Sequence, residues 1–513
     1  MKKLTLLKNA MLLTITSFIL RTFGIVIRSY MSNKIGAEGM GLYQLIISIY
    51  VLATTFVTAG IMAAVIRFVT DAVAKREGNS KIKKIMQKSI MISLFISFIA
   101  IIIFLLLAKP ISIYWLKDER CIISIKILVC ALPFISISSC VKGYFLAKRK
   151  VMMNSLSQLF EQIVRIILIF IFLEFYINTN LEKICMYIIL SDIISEIAAC
   201  ILIYLRYKRE MKSVTSLRKD FSFKLSEFFQ ISFPIAINKY MTSILRTIEN
   251  ILIPNQLALY TMSREVSLSQ FGYLKGMALP LIFFPASFLT AISTLLMPET
   301  SEASALKQKN KIKKLVEKTF QFTLACAIVI ACIFFLYSNE IGHIFYSTDE
   351  IAYYIKYLAP LIPFMYMESA ITGMMQGLNQ QKKSLKYNVI DSIIRINLIW
   401  IVLPKFGIKG FIIIMYISNI ITSGLNMYRL LKISSTKFNL NMWVIKPLIS
   451  AIAACIACSI ISDYVIIPNL IIGTSFKIGV ICGLYMVILF LFGIIQKESI
   501  EKIFSGRRVK AQK

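Results

Sequence analysis

Apolar runs of about twenty residues, the helix length that crosses a hydrocarbon core, recur from one end of this chain to the other. They fall near residues 10–32, 42–66, 89–108, 121–147, 155–176, 184–205, 226–252, 276–297, 319–337, 353–377, 387–403, 409–430, 445–462 and 473–495. No polar stretch between them is long enough for a soluble domain, so the fold class is all-α, a polytopic membrane protein of about fourteen helices. The first run continues past Arg21 and Arg28 with no small-residue cleavage site, which argues against a cleaved signal peptide. Pro234 falls in the seventh run, and Pro280 and Pro285 in the eighth, where each removes a backbone donor and permits a bend. Residues 255–275, with Arg264, Glu265 and Lys275 among apolar positions, read as an amphipathic segment along the outer interface.

The pattern repeats. Val141–Ile166 aligns without a gap on Ile371–Ile396 at an offset of 230 residues. Gly143 then falls on Gly373, Glu161 on Asp391 and Arg165 on Arg395, with a basic loop between glycine and acid in each copy. Ile19-Leu20-Arg21-Thr22 likewise recurs as Ile244-Leu245-Arg246-Thr247. Charges inside apolar helices cost several kcal/mol, so their duplication marks a functional or structural unit. The expected organisation is two six-helix lobes as parallel repeats, 1–224 with a basic linker and 225–440, followed by a C-terminal helix pair and basic tail over 441–513. Duplicated bundles of this kind point to two lobes rocking around a central site, as in secondary transporters.

Composition sharpens this picture. The 513 residues are 58% apolar and carry a formal charge of +32. In a soluble protein that excess would point to nucleic acid, but here the positives collect in alternate short loops. Lys75, Arg76, Lys81, Lys83 and Lys84 follow the second run, and Arg206, Lys208, Arg209, Lys212, Arg218 and Lys219 follow the sixth. The opposite loops, 253–256 and 338–350, hold no Lys or Arg. Positive loops stay cytoplasmic, which places both termini there and makes a nucleic-acid partner an unnecessary hypothesis. Cys455-x-x-Cys458 sits mid-helix with no second pair, and the single histidine, His343, falls in an outer loop. No metal site, cofactor or enzymatic constellation follows from these residues.

The candidate chemistry lies in the buried charges. Arg21 has no acid within four residues, and Arg28 follows seven residues later on the same helix face. Arg246 and Lys239 occupy the matching region of the second lobe, while Arg165 and Arg395 add one cation per lobe. If these six converge, they form a basic cavity suited to phosphate, whose oxygens the guanidinium fork matches. Each has a structural alternative. Glu161 and Asp391 precede their arginines by four residues, the favourable order for a helical ion pair. Glu249 lies within reach of Arg246, and Arg28 can snorkel to headgroups. Asp192 and Glu196, four apart on one face, can take a coupling cation or proton, or hold a basic loop.

Two segments carry a resemblance. Arg21-Thr-Phe-Gly24 with Gly36-Ala-Glu-Gly-Met-Gly41-Leu-Tyr-Gln44 resembles the opening of the polysaccharide biosynthesis branch of the multidrug/oligosaccharidyl-lipid/polysaccharide exporter superfamily. Gly272-Tyr-Leu-Lys-Gly-Met-Ala-Leu-Pro280 through Pro285, with Pro298-Glu-Thr-Ser-Glu302, looks like the stage V sporulation protein B group within it. The resemblance covers most of the chain and implies fourteen helices in two lobes plus a C-terminal pair. It implies export of an undecaprenyl-linked sugar intermediate across the bacterial cytoplasmic membrane, with membrane lipids and cell-wall synthesis proteins as partners. Of the family's first-helix pattern, Arg21 and Gly24 match, whereas the second arginine would fall at Ile27 and stands here at Arg28. By the same resemblance, the helices at 445–462 and 476–495 form a groove for a lipid tail. The rivals are a cation-coupled drug exporter of the same fold, which calls for acids facing the cavity, a membrane-embedded glycosyltransferase, which calls for sizeable outer loops, and a non-transporting scaffold.

Overall fold

The computed structural model describes residues 2–75, 78–176, 179–212, 225–465 and 467–494. Arg76, the linker stretch holding Arg218 and Lys219, and the basic tail lie outside the described residues. The described chain is helical almost throughout, as its uninterrupted apolar runs dictate. A lipid-exposed backbone must satisfy its own hydrogen bonds. In order, the helices are α1 (Lys2–Thr58), α2 (Ile61–Ala74), α3 (Gly78–Pro110), α4 (Cys121–Leu128), α5 (Leu132–Ala147), α6 (Val151–Tyr176), α7 (Leu181–Met211), α8 (Leu225–Thr261) and α9 (Arg264–Phe271). They continue as α10 (Leu279–Phe283), α11 (Ala286–Ala305), α12 (Lys309–Leu336), α13 (Ser338–Tyr346), α14 (Glu350–Leu358), α15 (Ile362–Gly377), α16 (Gln381–Ser434), α17 (Lys446–Tyr464) and α18 (Leu470–Leu491). Among the described residues, nine helical stretches are long and apolar enough to cross a membrane, Thr14–Ala74 and Gln381–Ser434 among them.

Two compact units emerge, Met1–Ala291 with Asn388–Met415 and Ile292–Tyr387 with Tyr416–Lys513. In the first, α2, α3, α5 and α7 enclose a core of Val65, Val69, Ile85, Tyr144, Phe145 and Tyr207. Small polar side chains let these helices approach: Ser97 donates to the Leu132 carbonyl, and the Cys140 thiol lies 3.5 Å from the Ser93 hydroxyl. In the second unit, α12 packs on α15 and α17, and α17 on α18. Asn469 caps α18 by accepting from the Ile471 and Ile472 amides. Cys455 and Cys458 are buried inside α17, and the Cys458 thiol donates to the Lys477 carbonyl of α18 at 3.5 Å.

Several expectations need correction. The first two predicted helices stand as two, but they meet without a loop at a kink at Gly36, whose φ of 68° is the left-handed region that glycine enters without a Cβ penalty. Residues 253–256 are not a loop, since α8 runs through Pro254 to Thr261, and His343 lies within α13. The break in the eighth run comes at Phe284–Pro285, between α10 and α11, while Pro234 leaves α8 continuous.

The largest correction concerns 255–275. Ser263 caps α9 by accepting from the Val266 amide, and a π-helical turn over Gly272–Ala278 follows. Leu268, Phe271, Gly272, Leu274 and Gly276 are buried and packed against α1, so the segment is part of the helix packing and not a surface strip. A Cβ on Gly41 would stand 2.1 Å from the Leu268 carbonyl oxygen, and one on Gly272 would stand 2.0 Å from that of Ala37. The two glycine-bearing segments that carry the family resemblance are therefore two sides of one backbone contact.

Candidate functional site

This contact sets the wall of a cavity of about 510 Å³ in the first unit. Arg21 and Arg28 enter it from α1, Arg165 and Gln162 from α6, and Lys275 from the π-turn, with Tyr43 beside them. Leu279, Pro280, Phe283 and Phe284 supply an apolar side. Four cations and no carboxylate line the space. Arg21 donates to the Phe283 carbonyl at 3.0 Å and Arg28 to that of Gly276 at 3.1 Å. The acceptors arise where the irregular 272–285 segment frees carbonyls that a regular helix would use. Arg28 thus turns inward to backbone rather than snorkelling. Among the described residues it has no carboxylate within ion-pair distance.

Arg165 is held from three sides. Its Nη2 donates to Glu161 at 3.0 Å and its Nη1 to Gln162 at 3.1 Å, both on its own helix. Its Nε approaches Asp192 of α7 at 2.8 Å, an ion contact whose alignment falls short of a directed hydrogen bond. The Tyr43 hydroxyl donates to the other Asp192 oxygen at 3.2 Å, and Lys142 stands 3.9 Å from Glu161. Asp192 is therefore engaged by a cation and a phenol, not by a loop. Glu196, half-buried one turn on, lies in the field of Glu161 and Lys142.

The second copy of the pair is built alike and placed differently. Arg395 binds Asp391 on its own helix and reaches both oxygens of Glu249 on α8 at 3.3 Å. Lys275 meets the same Glu249 at 3.4 Å. Glu249 therefore pairs with Arg395 and Lys275, not with Arg246. Arg395 does not border the cavity, although Lys275, its neighbour across Glu249, does.

The six expected basic residues accordingly divide. The structure brings Arg21, Arg28 and Arg165 together, holds Arg395 behind Glu249, and puts Lys239 and Arg246 in a separate cavity. Sequence reasoning missed Lys275, Tyr43 and Gln162. The signal for Lys275 was a cation between Gly272 and Gly276, where glycines mark close backbone approach. No cluster of three or more His, Cys, Asp or Glu able to hold a metal occurs among the described residues.

Comparison with known proteins adds to this geometry. The family model described as polysaccharide biosynthesis protein matches residues 6–298, and the MatE model matches residues 264–401. The chain is similar to stage V sporulation protein B of Bacillus subtilis (strain 168), at 24% identity over 98% of each chain. It is also similar to the lipid II flippase MurJ of the same organism, at 23% identity over 76% of each. A solved structure titled lipid II flippase MurJ, inward closed conformation, matches with a TM-score of 0.70 at 16% identity, covering 97% of this chain and 100% of that one. At that identity the match establishes a shared fold, an all-α, multi-pass membrane architecture.

Proposed function

Because this chain belongs to the polysaccharide biosynthesis protein family, we propose that it is a flippase of lipid-linked sugars. Its cargo in this reading is an undecaprenyl-pyrophosphate-linked oligosaccharide, a lipid II-like peptidoglycan precursor for the spore cortex. Alternating access of the lobes 1–224 and 225–440 carries the head group across the bacterial cytoplasmic membrane. Both termini are cytoplasmic, and residues 441–513 guide the lipid tail. Cell-wall synthesis proteins receive the product.

The observation that carries this reading is the cavity with four cations and no carboxylate. A pyrophosphate leaving water must recover its solvation. Guanidinium donors in a low-dielectric site do so with charge-assisted bonds roughly twice as strong as neutral ones. The prenyl chain stays in the bilayer throughout, so only the head group needs a path. An inside-negative potential acts on any net charge carried, at about 2.3 kcal/mol per charge per 100 mV. A cation-coupled drug exporter of this fold, the rival that the MatE match keeps in view, needs carboxylates free to face its cargo. Here Glu161, Asp192, Asp391 and Glu249 are all engaged with cations.

The test is complementation of a strain depleted of its lipid II flippase, with wild type and Arg21→Ala at matched expression. Rescue by wild type alone is expected. Rescue by both removes Arg21 from the site. Rescue by neither, with both proteins inserted, defeats the lipid II-like substrate.

A further inference from the structure

A second cavity, of about 350 Å³, opens in the first unit between residues 44–55 of α1 and 239–250 of α8. Its chemistry differs from that of the first. Apart from Ile47 and Val51, every residue lining it is an amide, a hydroxyl or a cation, and no carboxylate takes part. Some of these groups join the helices: Asn250 donates to the Ser48 hydroxyl at 3.1 Å, and Thr247 to the Ser48 carbonyl at 3.4 Å. Such bonds are the ordinary glue of membrane helices.

Others are not spent that way. The Nε2 of Gln44 is buried with no hydrogen-bond partner among the described residues. Among the described residues Thr242 donates only to carbonyls of its own helix, which leaves its oxygen able to accept. Lys239 and Arg246 are exposed, and among the described residues neither forms an ion pair. Polar groups on spanning helices are costly unless something meets them. Neutral donors and acceptors spread over two helices, with two cations at the side, suit a ligand rich in hydroxyls that also bears an acidic group. The volume lies within the range of about 300–1,000 Å³ typical of ligand sites.

Tyr43 borders the first cavity and Gln44 the second, so adjacent residues of one helix line both. We propose that the second cavity is a saccharide subsite, holding the sugar of a lipid-linked substrate whose pyrophosphate lies among Arg21, Arg28 and Lys275. This inference rests on the flippase reading above. It assigns Gln44 and Thr242 to the sugar hydroxyls, and Lys239 and Arg246 to an acidic substituent on the glycan.

Binding by the purified full-length protein tests it with two probes, undecaprenyl pyrophosphate and the same lipid carrying a disaccharide. Wild type is expected to hold the glycosylated lipid about tenfold tighter, the equivalent of about 1.4 kcal/mol. In Gln44→Met combined with Thr242→Val, that ratio falls to near one while affinity for the bare lipid stays at the wild-type level. Retention of the wild-type ratio by the double variant overturns the subsite. Equal binding of both probes by wild type also overturns it, leaving the flippase reading intact, whereas binding of neither defeats both. Should the double variant lose both ligands, the isosteric Thr242→Val alone carries the test on the same ratio.

Discussion

Arg165 and Arg395 start from one local pattern, an acid four residues before an arginine, and end in different surroundings. Each closes the helical pair, and each gains a second carboxylate from elsewhere, Asp192 on α7 for Arg165 and Glu249 on α8 for Arg395. Arg165 borders the basic cavity, but in the other copy that place belongs to Lys275, reached through the shared Glu249. Spacing along a helix is thus enough to form the pair. Which cation meets a ligand depends on residues that only the tertiary fold supplies. One arginine reads as part of a binding site, the other as a clamp behind it.

The strongest way to break this comparison is to remove each arginine. Arg395→Ala leaves Asp391 and Glu249 with side chains only 4% and 6% exposed. Removing one partner of a buried ion pair costs about 3–5 kcal/mol. The expected result is a large fall in the melting temperature of the detergent-solubilised protein. Arg165→Ala also breaks a buried pair, leaving Lys142 near Glu161 and the Tyr43 hydroxyl on Asp192, as Arg395→Ala leaves Lys275 on Glu249. Replacing whole pairs separates the roles further. Arg395→Met with Asp391→Leu should recover most of the stability and retain transport, since Glu249 still has Lys275. Arg165→Met with Glu161→Leu should lose transport even where it stays folded. Equal behaviour of the two double variants would erase the distinction.

The same contrast explains what the sequence could and could not disclose. The apolar run at 121–147 predicts a single element, and the structure has helix from Cys121 to Ala147 with only a tight turn of 3₁₀ between α4 and α5. The i,i+4 pairs were equally legible, because helix geometry alone brings those side chains together. Residues 255–275 were misread for a physical reason. Their mixed polarity resembles an interfacial helix, while the surface that buries them, Gly36–Gly41 and its neighbours, lies far away in sequence. Lys275 went unrecognised with them. Arg246 and Glu249 share a helix, yet Glu249 turns to Lys275 and Arg395, and no spacing rule within α8 reveals that preference.

Lys275 is the link between the two regions, so its loss should register in both, more mildly than that of Arg395. Lys275→Met removes one of the two cations on Glu249 and one of the four that line the cavity. A bond to a charged group is worth about 1.5–3 kcal/mol, and Arg395 still holds the carboxylate. The melting temperature is expected to fall by less than half the Arg395→Ala loss, with weakened binding of undecaprenyl pyrophosphate. Unchanged lipid binding would place Lys275 with the clamp and leave the cavity to Arg21, Arg28 and Arg165.

The smallest effect belongs to Tyr43, which tests whether Arg165 needs positioning as well as charge. Its hydroxyl holds one oxygen of Asp192 while the other approaches Arg165, so the phenol helps to fix where the guanidinium sits. Tyr43→Phe removes a single hydrogen bond, a loss of about 0.5–1.5 kcal/mol, and leaves the ring in place. Melting should barely move, whereas transport should slow if Arg165 meets the cargo directly, since the arginine then shares Asp192 without its second donor. Beside Arg395, Glu249 is held by two cations instead. A Tyr43→Phe protein with wild-type transport would make Arg165 a clamp like its counterpart, and the two copies would differ in position but not in role.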